Sequence, residues 1–361
     1  ATSSTYTLTQ SDVGSAMTVT VSHTDGQNTA ESVTSAATAA VANVNDAPTG
    51  SVTITGTVAE DSVLTAANTL ADEDGMGTVT YTWSNGATGA TVTLAQSDVG
   101  NAMTVTATYT DAQGGSEGVA SSATSVVANV NDAPTGSVMI SGNLVEGQAL
   151  TASNTLADED GIGTISYQWA RAGTAVSGAT SSIYTLTQSD VGSTITVTAA
   201  YTDAQGGSES VASSASSAVI NVNDAPTGSV TISGTATEDQ VLTAANTLAD
   251  EDGMGTVTYT WSNGATGATV TLAQSDVGNA MTVTATYTDA QGGSESVASS
   301  ATSAVTNVND DPTGSVTISG TATEDQVLTA ANTLADEDGM GTVTYTWSNG
   351  ATGATVTLAQ S

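Results

Sequence analysis

Positive charge is almost missing from this sequence. Its 361 residues include one arginine, no lysine and one histidine against 36 acidic residues, for a formal net charge of −35 at pH 7. Nucleic acids and anionic membrane surfaces recruit cationic side chains, so this composition argues against both as partners. The acidic residues occur in clusters, and their repulsion opposes compaction unless counter-ions bind. The charge pattern therefore points to divalent cations.

Cysteine and phenylalanine are also missing. Without cysteine the chain has no disulfide bond and no thiol chemistry, and without lysine a Lys–Asn isopeptide cross-link is impossible. Four Trp and nine Tyr supply most of the large core side chains. No apolar run is long enough to cross a membrane, and no signal peptide is visible. We therefore expect no membrane contact in this segment and expect any secretion or anchoring signal to lie outside it.

One acidic segment recurs four times. Asn-Val-Asn-Asp-Ala-Pro-Thr-Gly occupies 43–50, and close copies at 129–136, 221–228 and 307–314 complete what we call joints one to four. Their prolines are 86, 92 and 86 residues apart, the size of one β-sandwich domain. Proline fixes φ and keeps the preceding residue extended, which predicts a stiff connector. We predict half a domain at 1–46, whole domains at 47–132, 133–224 and 225–310, and half a domain at 311–361, called repeats one to five below.

Strand-like alternation fills each repeat. Apolar residues alternate with Thr or Ser, as in the segments 79–83 and 103–109, and such alternation is typical of half-buried strands. Asn85-Gly86 indicates a tight turn. Abundant β-branched residues disfavour helix, and aromatic residues at fixed alternating positions argue against disorder. About seven short segments per repeat, with a Trp in the third, predict an all-β, immunoglobulin-like sandwich.

Three motifs carry a family resemblance. They are Asp-Glu-Asp-Gly-Ile-Gly-Thr-Ile-Ser-Tyr-Gln-Trp (158–169), Ser-Gly-Ala-Thr-Ser-Ser-Ile-Tyr-Thr-Leu-Thr-Gln-Ser-Asp-Val-Gly (177–192) and Val-Asn-Asp-Ala-Pro-Thr-Gly (222–228). Together they resemble the bacterial immunoglobulin-like and cadherin-like tandem repeats of giant secreted adhesins of the RTX type, and the resemblance covers the whole chain. It implies an extended rod of sandwich domains, exported by type I secretion and stiffened by calcium. The joint is also similar to the cadherin linker, in which Asp and Asn ligate calcium, and the Asp-X-Asp pair resembles a cadherin ligand pair.

Acidic residues recur in phase with the joints, and calcium takes six to eight oxygen ligands in irregular geometry. The simpler interpretation is turn chemistry, because Asp-Gly and Asn-Asp are common in turns. We prefer calcium because several clusters recur with almost no cations to balance them. At joint one the candidate ligands are Asn45, Asp46, Glu60, Asp61, Asp72, Asp74 and Asp111. The later sets are Asp132, Glu146, Asp158, Asp160 and Asp203; Asp224, Glu238, Asp239, Asp250, Asp252 and Asp289; and Asp310, Asp311, Glu324, Asp325, Asp336 and Asp338.

The turn Gln-Ser-Asp-Val-Gly also recurs, and we predict a structural role for its aspartate, capping backbone NH groups at a corner between strands. Those aspartates are Asp12, Asp98, Asp190 and Asp276. Repeat three differs from its neighbours in two places. Its loop after the Trp is six residues longer and contains Arg171, and it has Glu146-Gly147 where the other repeats have Glu-Asp.

Catalysis has little support in the sequence. Gly114–Gly118 matches Gly-X-Ser-X-Gly, but no helix is predicted after it. We predict a non-enzyme, the calcium-rigidified repeat region of an extracellular bacterial surface adhesin that mediates cell adhesion and biofilm formation. Its expected partners are calcium ions. Two alternatives stay open: a subunit of a self-assembling extracellular filament built from copies of the chain, and a glycan- or surface-binding module that uses the loop at 170–178.

Overall fold

The computed structural model describes residues 2–359. These residues form short antiparallel sheets and four three-residue 3₁₀ turns, at Gln10–Asp12, Gln96–Asp98, Gln188–Asp190 and Gln274–Asp276. The prediction of an all-β fold is confirmed. Within residues 2–359 we find no helical segment with the length and hydrophobicity that crossing a bilayer requires.

The strands follow the sequence repeat. Repeat one contains β1 (Thr20–Thr24) and β2 (Ala30–Thr34); repeat two contains β3 (Val52–Thr55), β4 (Val63–Asn68), β5 (Thr80–Trp83), β6 (Thr91–Thr93), β7 (Val105–Thr110) and β8 (Ser116–Ala120). Repeat three contains β9 (Val138–Ser141), β10 (Ala149–Asn154), β11 (Ser166–Arg171), β12 (Thr174–Ala175), β13 (Ile183–Thr185), β14 (Ile195–Thr202) and β15 (Ser208–Ala212). Repeat four contains β16 (Val230–Ser233), β17 (Val241–Asn246), β18 (Thr258–Trp261), β19 (Thr269–Thr271), β20 (Val283–Thr288) and β21 (Ser294–Ala298), and repeat five contains β22 (Val316–Ser319), β23 (Val327–Asn332) and β24 (Thr355–Thr357).

Each complete repeat is a sandwich of two sheets. In repeat two the strand orders are β3-β4-β6 and β5-β7-β8, all antiparallel. Both sheets contribute to one core, in which Leu64 of β4, Trp83 of β5 and Val105 of β7 are at most 2% exposed. The alternation of the sequence explains this burial, because successive side chains of a strand point to opposite faces. Repeats three and four bury Trp169 and Trp261 in the same way.

The sequence predicts about seven strands per repeat, and the last segment of repeat two, 116–130, is a regular strand only at its start. Its regular part ends at Ala120. Three consecutive residues further on bridge to three different neighbours: Val126 to Ala102, Val127 to Val99 and Ala128 to Ala59. No one neighbouring strand stays alongside this segment, so it forms isolated bridges instead of a ladder. In the described structure, repeat two therefore has six strands and a bridged seventh segment.

The six extra residues of repeat three extend a hairpin. β11 continues to Arg171 and pairs with β12, and Ala172 takes the left-handed backbone conformation at the turn, with φ 45°. Arg171 Nε donates to Asp190 Oδ1 at 2.6 Å, and the Asp190 side chain is fully buried. The side chain that suggested a binding loop therefore forms an internal ion pair.

The recurring turn aspartate caps a corner, as predicted. Asp98 Oδ2 accepts a hydrogen bond from Ala95 N at 3.1 Å, and both of its carboxylate oxygens accept from Asn85 Nδ2 at 3.2 Å. Buried carboxylates are stable when such donors satisfy them. This residue is therefore part of the scaffold that holds the turn.

Candidate metal centre

Strand direction decides which acidic residues meet. β3 starts beside joint one and runs away from it, so the turn that follows lies at the far end of repeat two. There Glu60 N donates to Ala128 O at 2.9 Å, one residue before joint two begins. Glu60 consequently belongs to the joint at the end of its own repeat.

Three carboxylates meet at joint two. Oxygen atoms of Glu60, Asp132 and Asp160 all lie within 4.8 Å of one another. The first residue comes from repeat two, the second from the joint and the third from repeat three. Equivalent groups, which we call triads, form at joint three from Glu146, Asp224 and Asp252, and at joint four from Glu238, Asp310 and Asp338.

Backbone NH groups hold the triad carboxylates in place. Asp132 N donates to Asp160 Oδ2 at 2.8 Å, and Val130 N donates to Glu60 Oε2 at 3.4 Å. The same pairs recur at joints three and four, at 2.8 to 2.9 Å and 3.1 to 3.4 Å. Joint one has the corresponding bond from Asp46 N to Asp74 Oδ2, at 2.7 Å.

The triads concentrate negative charge in a poorly solvated place. Glu60 is 3% exposed and Asp160 2%. Burial raises the pKa of Glu60, against the hydrogen bond from Val130, and the neighbouring charges of Asp132 and Asp160 raise it further. Burial raises the pKa of Asp132 too, reinforced by Asp160, Asp61 and Asp158. A cation at this position relieves both the desolvation and the repulsion.

Side-chain amides complete the surroundings of the triad. Asn129 Oδ1 and Gln96 Oε1 are buried and have no hydrogen-bond partner within residues 2–359, and the same holds for Asn221 Oδ1 and Gln188 Oε1. At joint four, with its nitrogen as donor, the Gln274 amide reaches Glu238 Oε1 at 2.6 Å and Asn307 Oδ1 at 3.0 Å. The sequence analysis missed these amides as site residues, although both recur in phase with the joints.

A second group of oxygens, which we call the outer pocket, lies beside each of joints one to three. Asp111 Oδ1 accepts from Gln113 N and Gly115 N at 2.8 Å, whereas its Oδ2 is buried without a partner in the described chain. A Cβ on Gly115 would collide with both Asp111 Oδ2 and Asn45 Oδ1. The two oxygens therefore face one small space that a side chain would fill. The equivalents are Asn131, Asp203 and Gly207, and Asn223, Asp289 and Gly293.

Tyrosines orient the first aspartate of the Asp-Glu-Asp turn. Tyr109 OH donates to Asp72 Oδ2 at 2.5 Å, and Asp72 Oδ1 accepts from Asp74 N at 2.8 Å. Burial and the bonded Asp72 carboxylate raise the pKa of Tyr109 far above its usual value. Asp158 and Asp250 have the same partners. These aspartates fix the shape of the turn. Asp158 and Asp250 each lie two residues before a triad aspartate, and Asp72 lies two residues before Asp74, the equivalent residue at joint one.

The predicted composite site is therefore divided. The structure brings Asn45 to Asp111 and Asp46 to Asp74, as expected for joint one. The placement of Glu60-Asp61 at joint one was wrong, because the direction of β3 carries that pair to joint two, and the same shift moves Glu146 to joint three and Glu238-Asp239 to joint four. Glu324 and Asp325 of repeat five are exposed and meet no triad within the described residues. Asp336 accepts from Asp338 N at 3.0 Å, and Asp311 is exposed beside Asp310.

Asp61 occupies a position that the backbone selects. Its φ is 59°, and the equivalent Asp239 and Asp325 have φ 60° and 65°. Gly147 takes the same left-handed conformation in repeat three, with φ 73°. Glycine, aspartate and asparagine tolerate this region best, which explains why Gly replaces Asp there. The third joint consequently has one carboxylate fewer near its triad.

No family model and no curated protein matches the chain. Among solved structures, the chain is similar to a tetra-tandem repeat from the extending region of a large adhesion protein, with 20% identity over 79% of this chain and 81% of that one and a TM-score of 0.28. It is similar to a Ca²⁺-stabilized adhesin with which an Antarctic bacterium reaches out and binds ice, with 19% identity, 80% and 81% coverage and a TM-score of 0.28. A Dscam structure matches with 11% identity, 77% coverage of both chains and a TM-score of 0.23. At these scores the likenesses carry no functional conclusion, which has to come from the chain's own residues.

Proposed function

We propose that this chain is a structural segment of an extracellular bacterial adhesin, in which calcium at the joints stiffens a row of β-sandwich domains. The domains are the repeats at 47–132, 133–224 and 225–310, with parts of two more at the ends. One observation carries the proposal: each triad takes one carboxylate from the preceding repeat, one from the joint and one from the following repeat. A cation bound there contacts both repeats at once.

The donor set fits calcium in particular. Three carboxylates and two amide oxygens offer hard oxygen ligands, and each triad consists of carboxylates alone. Zinc prefers sites with Cys or His ligands, whereas magnesium demands a small, regular octahedron and retains water. Calcium accepts six to eight oxygens in irregular geometry, which matches donors that come from three separate segments. The outer pocket, with Asp203 and Asn131 at joint two, offers further oxygens nearby.

Calcium would act on bending. Without it, three crowded carboxylates favour separation of the two repeats, so the joint is free to open. With it, any rotation of one repeat against the next stretches metal–oxygen bonds and costs binding free energy. Many small sandwiches then behave as one rod that holds a cell at a distance from its target. The role is mechanical and needs no catalytic group.

Calcium binding and stability together test this proposal. Isothermal titration should detect calcium binding by the wild-type chain. A free calcium concentration about one hundred times the Kd should stabilise the folded state by about 2.7 kcal/mol for each occupied site. Changing the joint carboxylates together, as Asp132→Asn, Asp224→Asn and Asp310→Asn, should abolish most of that stabilisation. The matched control removes one carboxylate beside each triad aspartate without touching a triad residue, as Glu159→Gln, Glu251→Gln and Glu337→Gln.

Two results would overturn the proposal. The first is a wild-type chain whose melting temperature is the same in calcium and in EDTA. The second is a control triple variant that loses as much calcium affinity as the triad variant, since charge alone would then explain binding.

A further inference from the structure

The glutamine of the recurring turn reaches across the joint. Gln96 begins the 3₁₀ turn of repeat two, yet its Nε2 donates to Asp160 Oδ1 of repeat three at 3.2 Å. Gln10 makes the same contact to Asp74 at 2.6 Å, and Gln188 makes it to Asp252 at 2.8 Å. In each case the acceptor is the buried triad aspartate or, at joint one, its equivalent. This amide is therefore a direct side-chain link between consecutive repeats.

The other end of the amide is unsatisfied. Gln96 Oε1 and Gln188 Oε1 are buried, and nothing in residues 2–359 donates to them. Joint four differs: there the Gln274 amide lies against Glu238 of its own repeat and Asn307 of the joint, and Asn307 Nδ2 donates to Asp338 Oδ1 of the next repeat at 2.6 Å. A buried acceptor without a donor is unfavourable, and a cation ligated by the oxygen would satisfy it.

We propose that Gln96 and Gln188 form two-sided latches at joints two and three. In the metal-free protein, Nε2 bonds the aspartate of the following repeat and keeps the repeats together against carboxylate repulsion. When calcium binds, the amide turns and Oε1 becomes a neutral ligand of the same ion. The second half of this inference depends on the proposed function, whereas the first half concerns the protein without metal.

A neutral amide suits both states for a physical reason. The triad already contributes three negative charges, so a fourth carboxylate would attract calcium more strongly but repel its neighbours when the ion is absent. An amide adds an oxygen without adding charge, and its NH₂ group donates to a carboxylate, a charge-assisted hydrogen bond. Glutamine and asparagine both combine a donor and an acceptor in one uncharged amide group, and glutamine has the longer reach.

Substitution by glutamate separates the two halves. Gln96→Glu and Gln188→Glu together keep a ligand oxygen but remove the donor. The corresponding Gln→Leu variants remove both at similar volume. Ser97→Ala and Ser189→Ala are the control, because these exposed serines neighbour the glutamines in the same turns. Near-ultraviolet circular dichroism of the Trp and Tyr signals checks that every variant is folded.

Two measurements on the full chain read the two states. Spin labels on Thr53→Cys and Met139→Cys, both exposed in the first strands of repeats two and three, report the inter-repeat distance in EDTA. The chain has no other cysteine. Calcium affinity is measured by isothermal titration without labels. We expect both substituted sets to broaden the EDTA distance distribution. The Leu set should lose calcium affinity about tenfold or more, whereas the Glu set should retain or exceed wild-type affinity.

Two outcomes would overturn the latch. One is a Glu set whose EDTA distance distribution equals that of the wild type, because the glutamine Nε2 would then not hold the repeats together in the metal-free protein. The other is a Leu set with wild-type calcium affinity, which would remove the ligand role. Failure of the wild type to bind calcium would refute the proposed function instead, and the EDTA comparison would still decide the metal-free half of the latch.

Discussion

The buried aspartate of the recurring turn has a neutral partner in repeat two and a charged partner in repeat three. Asp98 bonds the Asn85 amide at 3.2 Å. Asp190 bonds Arg171 Nε at 2.6 Å and Tyr184 OH at 2.8 Å. Both aspartates also accept backbone NH groups of the turn. The buried carboxylate at this position needs hydrogen-bond donors, and different side chains supply them in the two repeats.

The joints differ in a parallel way. Repeat two ends its first turn with Glu60-Asp61, whereas repeat three has Glu146-Gly147 at the same left-handed position. The triad glutamate is present in both. Backbone conformation restricts the second position to a few residue types, and the choice between Asp and Gly then changes the charge of the joint. Repeat three therefore combines an internal ion pair, where repeat two has a neutral partner, with a less acidic joint.

Removing the ion pair should have the largest effect. Arg171→Ala leaves Asp190 buried and without its cationic partner, so we expect repeat three to lose about 3 kcal/mol of unfolding free energy. Its unfolding transition should separate from those of repeats two and four in a calorimetric scan. The control, Asn85→Ala in repeat two, removes a neutral donor and should cost about 1 kcal/mol. Equal losses would show that the charge of Arg171 is unimportant.

Exchanging the joint residue should reverse the difference in acidity. Gly147→Asp gives joint three the extra carboxylate of joint two, and the backbone there already suits aspartate. We expect calcium affinity at that joint to rise on the order of tenfold, with Asp61→Gly lowering it at joint two. Titration of single-joint variants measures both. If calcium affinity is unchanged in both variants, the carboxylate at this position does not contribute to calcium binding.

Acid should act in opposite directions with and without calcium. Burial raises the pKa of Glu60 and of Glu146, with Asp132 and Asp224 as the first neighbouring charges. A carboxyl group with a higher pKa in the folded state adds stability at low pH, and that stability is lost as the pH rises through the folded pKa. In EDTA, lowering the pH from 7 to about 5 should therefore raise the melting temperature. In calcium, protons compete with the ion and should lower it.

Repeat three provides an internal check on the acid response. The burial of Asp190 opposes its ionisation, but the bonds from Arg171 and Thr187 leave its pKa below the usual value. A carboxyl group with a lowered pKa gives stability that is lost as the pH falls through that pKa. For Asp190 this loss occurs at a lower pH than the stabilisation expected from Glu60 and Glu146. If the melting temperature in EDTA instead falls as the pH is lowered from 7 to about 5, the raised pKa of Glu60 and of Glu146 is contradicted.

Asp311 should have the smallest effect. It replaces the alanine of the other joints and is exposed, and burial and three other aspartates, Asp338 first, raise the pKa of Asp310 more than Asp311 does. Asp311→Ala makes joint four resemble joint two, and we expect a change in stability of less than about 0.5 kcal/mol. Calcium-dependent melting of this variant against the wild type measures it. A large loss of calcium stabilisation would instead make Asp311 a ligand.

Local patterns in the sequence predicted much of the fold. Alternation placed Trp83 and Val105 in the core, and the Gln-Ser-Asp turn predicted a capping aspartate. The features that these local patterns did not predict depend on contacts between residues far apart in the sequence. The partner of Glu60 follows from the direction of β3, and a turn glutamine such as Gln96 looks like an ordinary surface residue until its repeat packs against the next. The predicted seventh strand forms isolated bridges instead of a regular ladder, because successive residues of that segment pair with different neighbours.

Small-angle X-ray scattering of the intact chain in calcium and in EDTA tests the central claim most directly. If calcium at the triads stiffens the joints, the calcium curve should fit one extended arrangement of the repeats, with a larger maximum dimension and a narrower ensemble than the EDTA curve. The Asp132→Asn, Asp224→Asn and Asp310→Asn variant should give the EDTA-like curve under both conditions. Superimposable wild-type curves in calcium and EDTA would contradict the claim.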